Sequence, residues 1–142
     1  MQVKVTDNSK IFKAAKDRAV EAALAAIGEE AAGNATEELT NQDAVDTGRL
    51  RNSITYATAQ HTEGKSFSWH KGDKSGAPAG SGTTTPKATP EKDTVYIGTN
   101  VEYAKYIEAG SSGSAGRPFL KPAATGHREE YKKIAENVLR NA

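Results

Sequence analysis

Large apolar side chains are scarce in this chain, and that scarcity limits what it can build. Leu, Ile, Val and Phe together supply only 21 of 142 residues, against 23 alanines. That is about 15% of the chain, below the roughly 20% that marks a folded domain. Disorder would also call for a large net charge, yet 19 basic and 18 acidic residues leave +1. The combination predicts a single folded domain over 1–142 whose thin core is completed by neighbouring copies, because a small domain buries too little of its own surface.

The same composition removes several functions. Sequence-independent nucleic-acid binding needs a basic face for counterion release, and +1 does not supply one. Zero cysteines exclude a disulfide scaffold, a thiolate metal site and a thiol nucleophile. Met1–Asp7 carries neither an apolar signal core nor an arginine-rich transit pattern. No window approaches the roughly 18 apolar residues of a membrane span. The expectation is a protein made in a cytoplasm that stays there or travels in a particle, with no membrane partner.

Apolar spacing predicts a helix from Ser9 to about Leu39, with Phe12, Ala15, Ala19, Ala23, Ile27 and Ala31 on one stripe widened by Val20 and Leu24. Asn8 or Ser9 is its cap, and Gly28 and Gly33 are where it should bend or end. Its charge switches from Lys10, Lys13, Lys16 and Arg18 to Glu29, Glu30, Glu37, Glu38, Asp43 and Asp46, with no cation between 28 and 48. A solvated face explains the switch; the sharper reading is an acidic end set against a basic neighbour.

Asp46 or Thr47 should cap a short helix carrying Leu50 and Ile54 on one face. Alternation then predicts a strand over 54–60, paired as a hairpin with 66–70 through a turn at Glu63-Gly64-Lys65. Lys71 to Asp93 has no apolar residue larger than alanine or proline, so it reads as a long flexible insertion loop. A strand over 94–99 follows, then a short helix capped by Asn100 and stopped by Gly110, then a second flexible loop at 111–116. Arg117 to Pro122 reads as extended, with Pro122 opening a last helix to about Arg140. Its buried face is Ala123, Tyr131, Ile134, Ala135, Val138 and Leu139. The fold class expected is α+β: an antiparallel sheet of three to four strands with a long N-terminal, a short middle and a C-terminal helix packed on it.

Few residues suggest chemistry. His61, His70 and His127 lack metal-ligand spacing, and Gly64-Lys65-Ser66 lacks the leading glycine of a phosphate loop, having Ala59 there. Neither a metal nor a cofactor is expected. Val45-Asp46-Thr47-Gly48 matches the loop of aspartic proteases, in which two carboxylates share a proton across a dimer. A long alanine-rich helix before the motif and Arg49 and Arg51 after it argue against that homodimeric protease; a capping Asp46 and a turning Gly48 are the alternative. Between Arg117 and Arg140 six cations face three acids, but the 71–93 loop has no aromatic residue on which a base would stack.

Three segments in order carry a resemblance: Asp46-Thr-Gly-Arg-Leu50-Arg-Asn-Ser53, then Gly98-Thr-Asn-Val-Glu-Tyr103-Ala-Lys-Tyr106-Ile-Glu108-Ala-Gly110, then Arg117-Pro118-Phe119-Leu120-Lys-Pro-Ala123. Together they resemble the small tail-completion (neck, minor capsid or head–tail joining) proteins of long-tailed bacteriophages, over about residues 9–140. The insertion at 71–93 departs from that pattern. The resemblance implies a non-enzymatic virion subunit at the head–tail junction, forming a ring, expected to be a hexamer, that joins tail to connector. A tail terminator or a head-closure ring subunit is the nearest alternative. Implied partners are further copies of itself, the connector or head-closure protein, the tail terminator or tube protein, and DNA passing unread through the lumen. It further implies an interface built on Asp46, Thr47, Gly48, Arg49, Leu50, Ser53, Tyr103, Tyr106, Glu108, Gly110, Arg117, Pro118, Phe119 and Leu120. In that reading Tyr103, Tyr106 and Phe119 are aromatic anchors, Glu108 meets a neighbour's arginine, and the acidic first helix meets the cationic last one.

Overall fold

The computed structural model describes residues 1–5, 17–42 and 46–141. It is α+β, as the pattern predicts. The chain opens with a strand that the sequence reading passed over, β1 (Gln2–Val5). Four residues are too short for alternation to register; the strand exists because it pairs with a distant one, β5 (Val95–Gly98), with Val3 opposite Ile97. The α-amino group of Met1 fixes the register by donating to the Thr99 carbonyl at 2.9 Å, while the Thr99 N–H donates back to Met1 at 3.0 Å. On the other side of β5 lies β2 (Thr55–Thr58), also antiparallel, with Tyr56 opposite Ile97. The sheet order is β1-β5-β2.

Helix α1 (Asp17–Asn41) lies on this sheet with Val20, Ala23, Leu24, Ile27, Ala31, Ala35 and Leu39 buried. The expected start at Ser9, with Phe12 and Ala15, falls outside the described residues. Contrary to expectation the helix runs unbroken through both glycines. Gly28 is a contact point: a Cβ there would sit 2.7 Å from the Tyr56 ring and from Val95 Cγ2. The missing side chain lets helix and sheet close on each other.

The hairpin expected between 54–60 and 66–70 does not form. Instead β3 (Lys65–Trp69) pairs with β4 (Gly80–Thr84), inside the stretch read as a structureless loop. The glycines of β4 make that ribbon possible. A Cβ on Gly80 would lie 2.5 Å from the Trp69 ring, and one on Gly82 would lie 3.3 Å from Phe67. The two aromatic rings therefore cover bare backbone, and the strand has no apolar residues of its own by which to be recognised.

Helix α2 (Arg49–Ser53) precedes β2, and α3 (Ala104–Ala109) follows β5, ended by Gly110 at φ 86°. Asn100 does not cap α3; its amide donates to the Thr85 hydroxyl at 3.3 Å. The loop expected at 111–116 is a tight hairpin of β6 (Gly110–Ser111) and β7 (Ser114–Ala115). The last helix is two: α4 (Leu120–Thr125), with Pro122 in its interior, and α5 (Arg128–Arg140). The break falls at Gly126, whose N–H closes α4 on the Pro122 carbonyl at 2.7 Å.

Alanines let α1, α4 and α5 approach, so Ala31, Ala35, Ala123 and Ala135 share the core with Leu24, Ile27, Leu39, Ile97, Phe119 and Leu120. At the α1–α5 seam the buried Tyr131 hydroxyl donates to the Ala123 carbonyl and accepts from the Asn34 amide at 2.9 Å. Burial pushes its phenol up to about 12.

Candidate interaction site

The Asp-Thr-Gly segment forms the corner from which the site is built. Gly48 takes φ 83°, a left-handed conformation costly for other residues, and turns the chain into α2. No side chain caps that helix in the usual sense; the Thr47 hydroxyl accepts the Arg49 N–H at 3.0 Å. Asp46, expected as the cap, reaches elsewhere. Its carboxylate accepts the Lys74 N–H at 2.8 Å, the Ser75 N–H at 3.2 Å and the Ser75 hydroxyl. These bonds, the Ser75 hydroxyl foremost and then the Lys74 N–H, hold the Asp46 carboxyl below its ordinary range. Both of its oxygens are thus occupied, and Asp46 acts within this chain as a clamp on the 74–75 backbone.

From the first turn of α2 the Arg49 guanidinium grips Glu102 bidentately, at 3.1 and 2.9 Å. It also lies 5.2 Å from the Trp69 ring and 5.5 Å from the Tyr103 ring, within cation–π range of both. The Glu102 carboxyl is held low, by its own backbone N–H and then by Arg49. Burial raises the Tyr103 phenol, with Arg49 opposing. Trp69 is fixed by its indole N–H, which donates to the Pro78 carbonyl at 3.1 Å. Asp46, Arg49, Arg51, Trp69, Pro78 and Tyr103 line a cleft of about 460 Å³. Trp69 was not among the expected site residues; the Phe67/Trp69 alternation was its only signal, and that was spent on the wrong hairpin.

Other expected interface residues belong to the interior. Leu50, Ser53, Phe119 and Leu120 are buried. Ser53 lies at 2.6 Å from both the Leu50 carbonyl and the Thr99 hydroxyl. Its single proton goes to the carbonyl, so Thr99 donates to Ser53, and Thr99 in turn accepts the Val101 N–H at 3.0 Å. The Ser53 carbonyl accepts from the Thr84 hydroxyl at 2.7 Å, which ties the ribbon to the end of α2.

Glu108 is likewise buried within the chain. Its carboxylate accepts the N–H groups of Phe119 at 3.0 Å, Leu120 at 2.8 Å and Lys121 at 3.1 Å. It supplies from another helix the N-terminal cap that α4 lacks locally. Tyr106, 53% exposed, with Lys105 over its ring at 5.1 Å, and the exposed Arg117 and Pro118 stay outside the core, beside the Gly110 turn. Among the described residues no three His, Asp or Glu side chains converge as a metal site, and no helix is long and apolar enough to cross a membrane.

The family model of HK97-gp10-like proteins, described as a bacteriophage HK97 gp10 tail component, matches residues 2–110. The chain belongs to this family. Neither a curated protein nor a solved structure matches it significantly. The HK97-gp10-like match runs from β1 to the Gly110 turn. It takes in the three-stranded sheet, the ribbon and every residue of the cleft, and ends before Arg117. As a phage tail component, the protein is a structural part of a virion and meets other virion proteins.

Proposed function

We propose that this HK97-gp10-like protein is a ring-forming tail-completion subunit at the head–tail junction, joining the tail to the connector. Tyr106 carries the reading. It is the one large hydrophobic side chain left exposed among the described residues, and it stands on α3, whose Ala104 and Ile107 pack on the core while Tyr106 points away. Beside it lies the Arg49–Trp69–Tyr103 cluster, and Tyr, Trp and Arg are the residue types that anchor protein interfaces. The thin core gives the isolated chain a reason to associate.

A closed ring needs one patch of each copy to meet a different patch on the next. The two ring faces would meet a connector or head-closure protein and a tail terminator or tube protein, with DNA passing through the lumen unread. Native mass over a concentration series tests this: six copies of 15.0 kDa give a closed species near 90 kDa, within about one subunit. A Tyr106→Ser variant should weaken that species. A chain that is monomeric at every concentration, or a strict dimer, overturns the ring.

A further inference from the structure

Within one chain α1 and α5 pack on each other through their buried faces, so the acid-to-base contact expected between them is not made by those faces. Their outward faces differ in sign. On α1, Glu29, Gly33 and Glu37 follow at four-residue steps and all three are exposed, with Ala22 and Thr40 beside them. A Cβ on Gly33 would meet nothing within 4 Å. On α5, Lys133, Asn137 and Arg140 form an exposed stripe of their own, flanked by Lys132 and Arg128 and interrupted by Glu129 and Glu136.

Among the described residues neither stripe is closed by an ion pair within its own chain. The ion pairs there include Arg49–Glu102, Lys92–Asp17 and the histidine pairs His61–Glu63 and His127–Glu130. None uses Glu29, Glu37, Lys133 or Arg140. The spacings also match: at 1.5 Å per residue the two carboxylates stand about 12 Å apart and the two cations about 10 Å apart along their helices. Gly33, between the acids, leaves room for a long basic side chain or a helix backbone.

Resting on the ring reading, we infer that the outward face of α1 on one copy docks against the outward face of α5 on the next, with Glu29 and Glu37 opposite Lys133 and Arg140. The contact is heterologous, since each copy offers an acidic stripe on one helix and a basic stripe on another. That is the arrangement a closed ring requires. The occupant of the α1 face is therefore a second copy of this chain.

Charge reversal in two separate chains tests it. One variant carries Glu29→Lys and Glu37→Lys, the other Lys133→Glu and Arg140→Glu; circular dichroism verifies that each is folded. Each alone should associate at least about tenfold more weakly than the wild type, because like charges then face each other across the contact. Mixed in equal amounts, the two should recover the wild-type mass as an alternating ring. In that ring every α1 face again meets an α5 face of opposite sign. Oligomers unaffected by either reversal, or weakened by both without recovery on mixing, overturn this contact and leave the ring standing. A wild-type chain with no oligomer overturns the ring itself, and this contact with it.

Discussion

Replacing Glu108 by alanine separates an internal role from an interface role more sharply than any other change. Its carboxylate serves three backbone donors at the start of α4. Phe119 and Leu120 are both fully buried, so their N–H groups have no access to water once the carboxylate is gone, while that of the exposed Lys121 can turn to solvent. Each orphaned buried donor costs about 1–3 kcal/mol, which puts Glu108→Ala at roughly 2–6 kcal/mol. Against a total stability of about 5–15 kcal/mol that is a large share. At roughly 2–4 °C per kcal/mol for a chain near this size, the melting temperature should fall by about 4–24 °C. Glu108→Gln keeps one oxygen for Phe119 and Leu120 but turns an NH2 toward Lys121, and should cost about 1–2 kcal/mol. Urea unfolding, read by Trp69 fluorescence and by circular dichroism at high dilution, gives both numbers. An alanine variant within about 0.5 kcal/mol of wild type, the range of an ordinary surface change, would refute the capping argument. Loss of oligomer from an equally stable Glu108→Ala chain would restore the interface role.

Other changes follow from the same packing. Gly28→Ala adds about 1 kcal/mol of helix propensity but forces a methyl against Tyr56 and Val95 at 2.7 Å; overpacking of about 1–3 kcal/mol should win, as a lower urea midpoint. Ser53→Ala removes the acceptor of the buried Thr99 hydroxyl and should cost about 1–3 kcal/mol, part of which Thr99→Val in the same chain recovers, as a double-mutant cycle would show. The Asp46 carboxyl is depressed in the fold, so its bonds to the 74–75 backbone are present above its ordinary value of 3.8 and are lost as pH falls through the lower folded value. Protection of the Lys74 and Ser75 amides, taken relative to their intrinsic exchange rates at each pH, should therefore fall on acidification, and Asp46→Asn should lower it at neutral pH; unchanged protection would count against the clamp. Glu30 shares a hydrogen bond with Glu130 across the α1–α5 seam, which raises the Glu30 carboxyl and lowers that of Glu130. A raised acid contributes stability at low pH that is lost as pH rises through its folded value. Glu30→Gln should thus stabilise at pH 7, by no more than about 0.5 kcal/mol because the pair is near the surface, and flatten the pH dependence of the melting temperature above the ordinary carboxyl value of 4.5.

Those parts of the fold that rest on local pattern were legible. The alanine–leucine stripe of α1, the β5 strand and the Gly110 stop each announce themselves in a few adjacent residues. What escaped depends on partners far along the chain. β1 is four residues that become a strand only by pairing with β5. β4 reads Gly-Ser-Gly-Thr-Thr, and no periodicity marks it, because its place is set by the aromatic rings of β3 lying over its glycines. With β4 unmarked, the alternation of Phe67 and Trp69 points to 54–60 as the partner strand, and the Trp69 wall of the cleft goes unsignalled. Pro122 looked like the first residue of a helix and stands inside one, because the donors that α4 must satisfy are met by Glu108, eleven residues before Phe119. No local rule anticipates a cap delivered from another helix.

The motif residues divide by where they finish, and the division bears on how this family assembles. Leu50, Ser53, Thr99, Ala104, Glu108, Phe119 and Leu120 all lie inside, holding α2, β5, α3 and α4 to one another. The three segments that suggested an interface are thus mainly the joints of the subunit, and recognising them amounts to recognising a fold. Among the expected interface residues the exposed ones are Tyr106, Arg117 and Pro118, with Asp46, Thr47, Arg49, Tyr103 and Gly110 half-buried. A ring contact built only on these would leave the outer faces of the two longest helices in water with their charges unanswered. Those helices lie outside the three motifs for most of their length, so their surfaces are free to differ from one subunit type to another while the joints stay fixed. A neighbour-specific contact drawn from α1 and α5 would let the same scaffold close with its own copies and refuse those of a related ring. Like charges set across a wrong pairing cost several kcal/mol, more than one exposed tyrosine is expected to return.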